Sequence, residues 1–236
     1  MPLRRAELPV EPAPPAVGFA FYLAQLDSEV ADARRGAAIA LGHHEAEDGA
    51  DQRILAALAA HLLTEPDRFV REAIFTAFAN IGGGDAACLL GPFLRADDAG
   101  LRNGAAETLR RLHDDAVPVV DRLLQDADAD VRALAIEAMR GWPPELAAPR
   151  LHALLTRETH VNVMGAALDV AATAGDATLL PALAAAQARF AGEGFVGFAI
   201  AEAINTLAAR PAAPSPRPGG AEAKKPAAKK PRKTGP

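Results

Sequence analysis

Apolar and small side chains recur at three- and four-residue steps through most of the chain, the spacing that places them on one face of an α-helix. Six stretches align without gaps over their first turns: "ARRGAAIALG" from Ala33, "VREAIFTAFANIG" from Val70, "LRNGAAETLRRL" from Leu101, "VRALAIEAMRGW" from Val131, "VMGAALDVAATAG" from Val163 and "VGFAIAEAINTL" from Val196. Their first residues are 37, 31, 30, 32 and 33 positions apart. Three positions further on stands Gly36, Ala73, Gly104, Leu134, Ala166 or Ala199, usually small enough for close helix contact.

A second amphipathic stretch falls in each interval: "ILAALAAHLL", "AACLLGPFL", "AVPVVDRLL", "ELAAPRLHALL" and "ATLLPALAAAQARF". Asp51, Asp85, Asp115, Glu145 and Asp176 stand near its start, where a carboxylate accepts bonds from unpaired amides and complements the helix dipole. Pro118, Pro149 and Pro181 are expected in or near first turns, where a missing N–H costs little. A helix pair cannot bury its apolar face alone, but stacked pairs share a continuous core. The expectation is an all-α fold, a right-handed α-α superhelix of about five to six helical hairpins.

With its Asp-x-x-Val-Arg-like starts, the pattern resembles HEAT repeats, specifically the short bacterial kind named after phycobilisome lyase subunits. The resemblance covers residues 28–209 and is carried best by "EPDRFVREAIFTAFANIGGGDAACLLGPFL" and "DADADVRALAIEAM". It implies an armadillo-like α-solenoid and leaves the task open, since such stacks serve unrelated functions. It also implies a structural role for Arg34, Arg71, Arg102 and Arg132, which directly follow their repeat anchors. In HEAT-like stacks this position belongs to an inter-repeat ladder with the preceding acidic residue, here Asp32, Asp67, Asp98 and Asp128 or Asp130. Four arginines in register also suit phosphate, the competing reading. The series stops at Met164 and Gly197, so the last repeats are expected to join through apolar contact.

"PAVGFAFYLAQL" reads as a capping helix, giving a solenoid over 16–210 between a disordered proline-rich leader, 1–15, and a disordered basic Pro/Ala/Lys tail, 211–236. "GFVGFAIAEAI" is apolar for a terminal repeat, so cover by the chain beyond Arg210 or by a partner is expected.

Composition sharpens the class. Half of the 236 residues are apolar but aromatics are only 5%, alanine supplying much of the rest. The single cysteine, Cys88, excludes an internal disulfide and a Cys-based zinc site, and its run "AACLLGPFL" reads as buried. The apolar patch near the N-terminus is about half of a membrane span, so a cytoplasmic protein with no membrane span is expected. The tail carries Arg217, Lys224, Lys225, Lys229, Lys230, Arg232 and Lys233 against Glu222, or +6, in a chain of net charge −5.

Candidate chemistry centres on "GHHEAEDGAD", residues 42–51, where the first repeat is longer than the rest. His43, His44, Glu45 and Asp48 could take a divalent cation; a solvated acidic loop is the simpler reading. Deoxyhypusine hydroxylase is also built of HEAT-like repeats, but its His-Glu pairs recur, and only His44-Glu45 has that order here. No Walker loop, nucleophile elbow or Rossmann fingerprint is present, and no cofactor or small-molecule ligand is expected.

The leading expectation is therefore a non-catalytic protein–protein interaction scaffold. Second helices usually line the concave side of HEAT-like stacks, which makes Arg53, His61, Arg122, Gln125, Arg150 and His152 the candidate protein-binding residues. One alternative is an enzyme or enzyme-assembly subunit of the bilin lyase or deoxyhypusine hydroxylase type. The other is a nucleic-acid-associated factor, its tail lysines neutralising phosphates without reading sequence.

Overall fold

The computed structural model describes residues 18–44 and 50–209. Both expected disordered ends, 1–15 and 211–236, lie outside this range. The short helix α1 (Phe19–Gln25) precedes five hairpins: α2 (Ala31–Leu41) with α3 (Ala50–Leu62), α4 (Arg68–Ile81) with α5 (Gly83–Leu90), α6 (Ala99–Leu112) with α7 (Val117–Leu123), α8 (Ala129–Glu137) with α9 (Pro144–Leu155), and α10 (Val161–Ala174) with α11 (Leu180–Arg189). A last helix, α12 (Gly194–Ala208), follows. No strand occurs among the described residues.

First helices stack on first helices, α2 on α4, α4 on α6, α6 on α8, α8 on α10 and α10 on α12, while α1 packs on α2 and α3. The second layer runs beside it, with α3 on α5 and α9 on α11. One apolar core threads the stack from Leu26 to Leu207, with Ile54, Phe78, Leu109, Ile136, Trp142 and Leu151 among its large members. This is an all-α solenoid of HEAT-like hairpins.

Local chemistry explains where helices start and stop. Asp67, Asp98 and Asp128 are the N-caps of α4, α6 and α8, their carboxylates accepting from backbone amides of the first turn. At the far end of α4 the chain reverses through Gly82, with φ 70°, and the matching place after α6 is taken by His113 at φ 44°. Trp142 donates through Nε1 to the carbonyl of Arg110, 3.1 Å away, so an unpaired carbonyl in the last turn of α6 is satisfied from the next repeat.

The second helices are less regular than the sequence suggests. Pro92, Pro118 and Pro181 lie in first turns, and 3-10 turns at Gly91–Arg95, His113–Ala116 and Ala177–Leu179 extend or open these helices. Pro149 departs from expectation: α9 begins five residues earlier, capped by Pro143, so Pro149 is interior. It is exposed, and the Glu145 carbonyl that loses its partner is in an exposed residue, where water can satisfy it.

Candidate functional site

Three of the four register arginines, Arg34, Arg71 and Arg132, tie one repeat to the next. Arg34 forks onto Glu65, Nε and Nη2 each donating at 2.8 Å, and Arg132 forks onto Glu158 at 2.9 and 3.0 Å. Arg71 donates to Asp98 at 2.8 Å and to the Glu65 carbonyl at 2.6 Å. Arg34, Arg102 and Arg132 also donate to two carbonyls each in the loop before their own helix.

The expected acidic partners are corrected for all four arginines. Arg34, Arg71 and Arg132 pair not with the aspartates before them, Asp32, Asp67 and Asp128 or Asp130, but with a carboxylate at the start of the following repeat. Asp67 and Asp128 face the amides they cap, whereas an arginine at the start of a first helix reaches the next repeat. Arg102, expected on Asp98, has carbonyl partners among the described residues. Asp126, five residues before its repeat anchor like Glu65 and Glu158, is a methylene shorter and accepts from Arg95 instead.

Burial by itself would raise the pKa of Glu65, whose side chain is fully enclosed. The guanidinium of Arg34, the Asp67 amide and the His61 ring nitrogen outweigh it and lower the pKa from 4.5 to about 2. In Glu158 burial is likewise outweighed, by Arg132 and the His160 and Thr159 amides, and its pKa is lowered. These charges are neutralised within the stack, which leaves them to hold repeats in register. Glu65 and Glu158 escaped the sequence reading; the available signal was a glutamate five residues before a repeat anchor.

The second-helix candidates divide into two groups. Arg53 lies over the Phe19 ring at 5.1 Å, His61 bonds Glu65 at 2.7 Å, and Arg150 pairs with Asp121 at 2.8 Å. His61 and Arg150 are half-buried rather than exposed, because each serves a carboxylate of its own fold. Arg122, Gln125 and His152 are exposed. Cys88 is also exposed, correcting the buried reading: α5 turns Ala86, Ala87 and Leu90 inward and leaves the thiol 3.8 Å from Arg122 Nη2.

Arg122 stands in a cavity of about 380 Å³ between α5 and α7, lined by Cys88, Pro92, Arg95, Val119, Leu123 and Asp126. A second cavity of about 390 Å³ shares Asp126 and continues past Gln125 to Arg157 and Glu158. The two meet at Asp126 and run across three successive repeats; the first has apolar walls at Pro92, Val119 and Leu123, and the second is lined almost wholly by polar and charged side chains. Arg157 is fixed there by donating to the Leu124 carbonyl at 2.8 Å.

At the first-repeat loop, His43 Nδ1 lies 2.8 Å from the Ile39 carbonyl and the His44 ring packs 5.2 Å from that of Phe19. Glu45 and Asp48 lie outside the described residues. Among the described residues no group of three or more His, Cys, Asp and Glu is placed to hold a metal ion, and no helix is long and apolar enough to cross a membrane.

No family model matches the sequence, and no curated protein does. Among solved structures, a designed armadillo repeat protein is similar at 18% identity and a TM-score of 0.39, over 80% of this chain and 100% of that one. The complex of CpcE and CpcF of phycocyanin lyase from Nostoc sp. PCC7120 matches at 19% identity and a TM-score of 0.36, over 87% and 100%. The Cnd3-Cnd2 subcomplex of condensin from S. pombe matches at 16% identity and a TM-score of 0.42, over 79% and 26%.

Proposed function

We propose that this protein is a non-catalytic interaction scaffold that holds a protein partner along the second-helix groove between Cys88 and Glu158. The observation that carries the reading is the continuity of that groove over three repeats. A peptide segment laid across it would bury apolar side chains on Pro92, Val119 and Leu123. Its carboxylates would meet Arg95, Arg122 and Arg157 at the rim. The buried charges of Glu65 and Glu158 are already paired across repeats, so binding need not rearrange them.

The test is a pull-down from native extract with the full chain and its Arg122→Glu variant. The reading expects a protein retained by the first and lost from the second. Retention of the same proteins by both would overturn it. Material released by nuclease or salt from both would place the function in the basic tail.

A further inference from the structure

The arginine ladder is interrupted between the third and fourth hairpins, and the groove passes that joint. Arg34, Arg102 and Arg132 hold one posture: in each, Nη1 donates to two carbonyls of the loop before its own helix. In Arg34 and Arg132 the remaining edge, Nε with Nη2, forks onto the glutamate five residues before the next repeat anchor. The same edge of the half-buried Arg102 donates to no group among the described residues.

The carboxylate that belongs opposite this edge is Asp126. It occupies the place of Glu65 and Glu158. One of its oxygens accepts the backbone amide two residues on, from Asp128 at 3.0 Å, as Glu65 accepts from Asp67 and Glu158 from His160, both at 2.9 Å. Its other oxygen accepts from Arg95 rather than from Arg102. The Asp126 side chain is 8% exposed and Arg95 is 53% exposed. The outer member of this pair is therefore the one that a ligand in the first cavity meets.

Two arginines thus compete for one short carboxylate. The methylene that aspartate lacks is worth about 1.5 Å of reach. Taking Arg102 requires the two hairpins to close by a similar amount, and packed helices shift by about 1–2 Å in such transitions. Arg95 opposes that closure as long as it holds Asp126. A carboxylate bound to Arg95 from outside removes the opposition, and the unpaired edge of Arg102 then favours closing.

We propose that Asp126 is handed from Arg95 to Arg102 when an acidic side chain of the bound segment takes Arg95, so that filling the groove completes the missing rung between the third and fourth hairpins. The inference rests on the groove reading and adds its regulation: the solenoid is tighter when occupied.

The test follows the arginine Nε–H resonances of the full chain by NMR while the peptide acetyl-Glu-Leu-Leu-Glu-amide is added, with Arg102→Lys identifying the Arg102 signal. Peptide should perturb Arg95 and Arg122 and slow hydrogen exchange at Arg102 Nε about tenfold, the effect of one charge-assisted bond. In Asp126→Asn the peptide should still perturb Arg95 and Arg122 and leave Arg102 unprotected. Asp126→Glu, which supplies the missing methylene, should protect Arg102 without peptide. Perturbation of Arg95 and Arg122 with no protection of Arg102 would overturn the hand-off and leave the groove reading standing. An Asp126→Glu chain whose Arg102 stays unprotected would overturn it as well. Peptide that leaves Arg95 and Arg122 unperturbed would remove the groove reading and the hand-off together.

Discussion

Gly104 on α6 lies directly against the ring of Phe75 on α4: a Cβ at Gly104 would overlap three ring carbons. The two helices approach closely here because one side supplies no side chain at all. Gly36, at the matching position of α2, has nothing within 4 Å of its Cβ position. The same substitution should therefore act with opposite sign at the two sites. Gly104→Ala is expected to destabilise by about 1–3 kcal/mol through overpacking. Gly36→Ala should stabilise by about 0.5–1 kcal/mol, the helix-propensity gain. Denaturant midpoints decide it, and Phe75→Leu should recover part of the Gly104→Ala loss.

Glu65 should make stability depend on acid. Its folded pKa of about 2 lies below the ordinary 4.5, so the ionised form stabilises the fold above pH 4.5 and that contribution is lost as pH falls toward 2. The shift corresponds to stabilisation on the order of 3 kcal/mol. Glu65→Gln is expected to cost about that much at pH 7, because Arg34 is left without its counter-charge. The gap between parent and variant, measured by denaturation at a series of pH values, should shrink steadily below pH 4.5.

His113 holds a backbone conformation, φ 44°, that side chains with a Cβ rarely adopt. Gly82 occupies the equivalent turn one repeat earlier with φ 70°. His113→Gly should relieve the strain and raise stability by about 1 kcal/mol, read as a higher melting temperature. An unchanged or lower value would mean that the imidazole makes a compensating contact.

Arg122 should matter for binding and little for folding. It is exposed and reaches the Cys88 thiol at 3.8 Å, too weak a contact to hold the stack together. Arg122→Glu is expected to weaken partner capture by tenfold or more while shifting stability by less than about 0.5 kcal/mol. Arg132→Glu should do the reverse and unfold the protein, since it would set two carboxylates together at the nearly buried Glu158.

Much of the architecture was legible because helical periodicity and repeat spacing are local properties. An apolar face every three to four residues must be buried, and a short helix pair can bury it only against its neighbours. The aspartate caps of the first helices lie within three residues of the amides they serve, yet Asp67, Asp98 and Asp128 read as ladder partners of the arginines, and of the carboxylates expected at second-helix starts Asp176 is the one that caps, on a 3-10 turn. The apolar end of the last repeat could also be read, because Phe195 and Phe198 stand out in the sequence itself.

What only the tertiary structure decided is which groups meet across repeats. Arg34 and Glu65 are 31 residues apart, Arg132 and Glu158 are 26, and a glutamate five residues before a repeat anchor does not by itself say which arginine it serves. The same holds for the candidate surface. His61 and Arg150 share a helix face pattern with Arg122 and Gln125, yet their carboxylate partners remove them from the exposed set. A repeat sequence fixes the face on which a residue lies, but its use depends on the neighbouring repeat, because charge pairing and close packing are settled by distances between helices rather than along them.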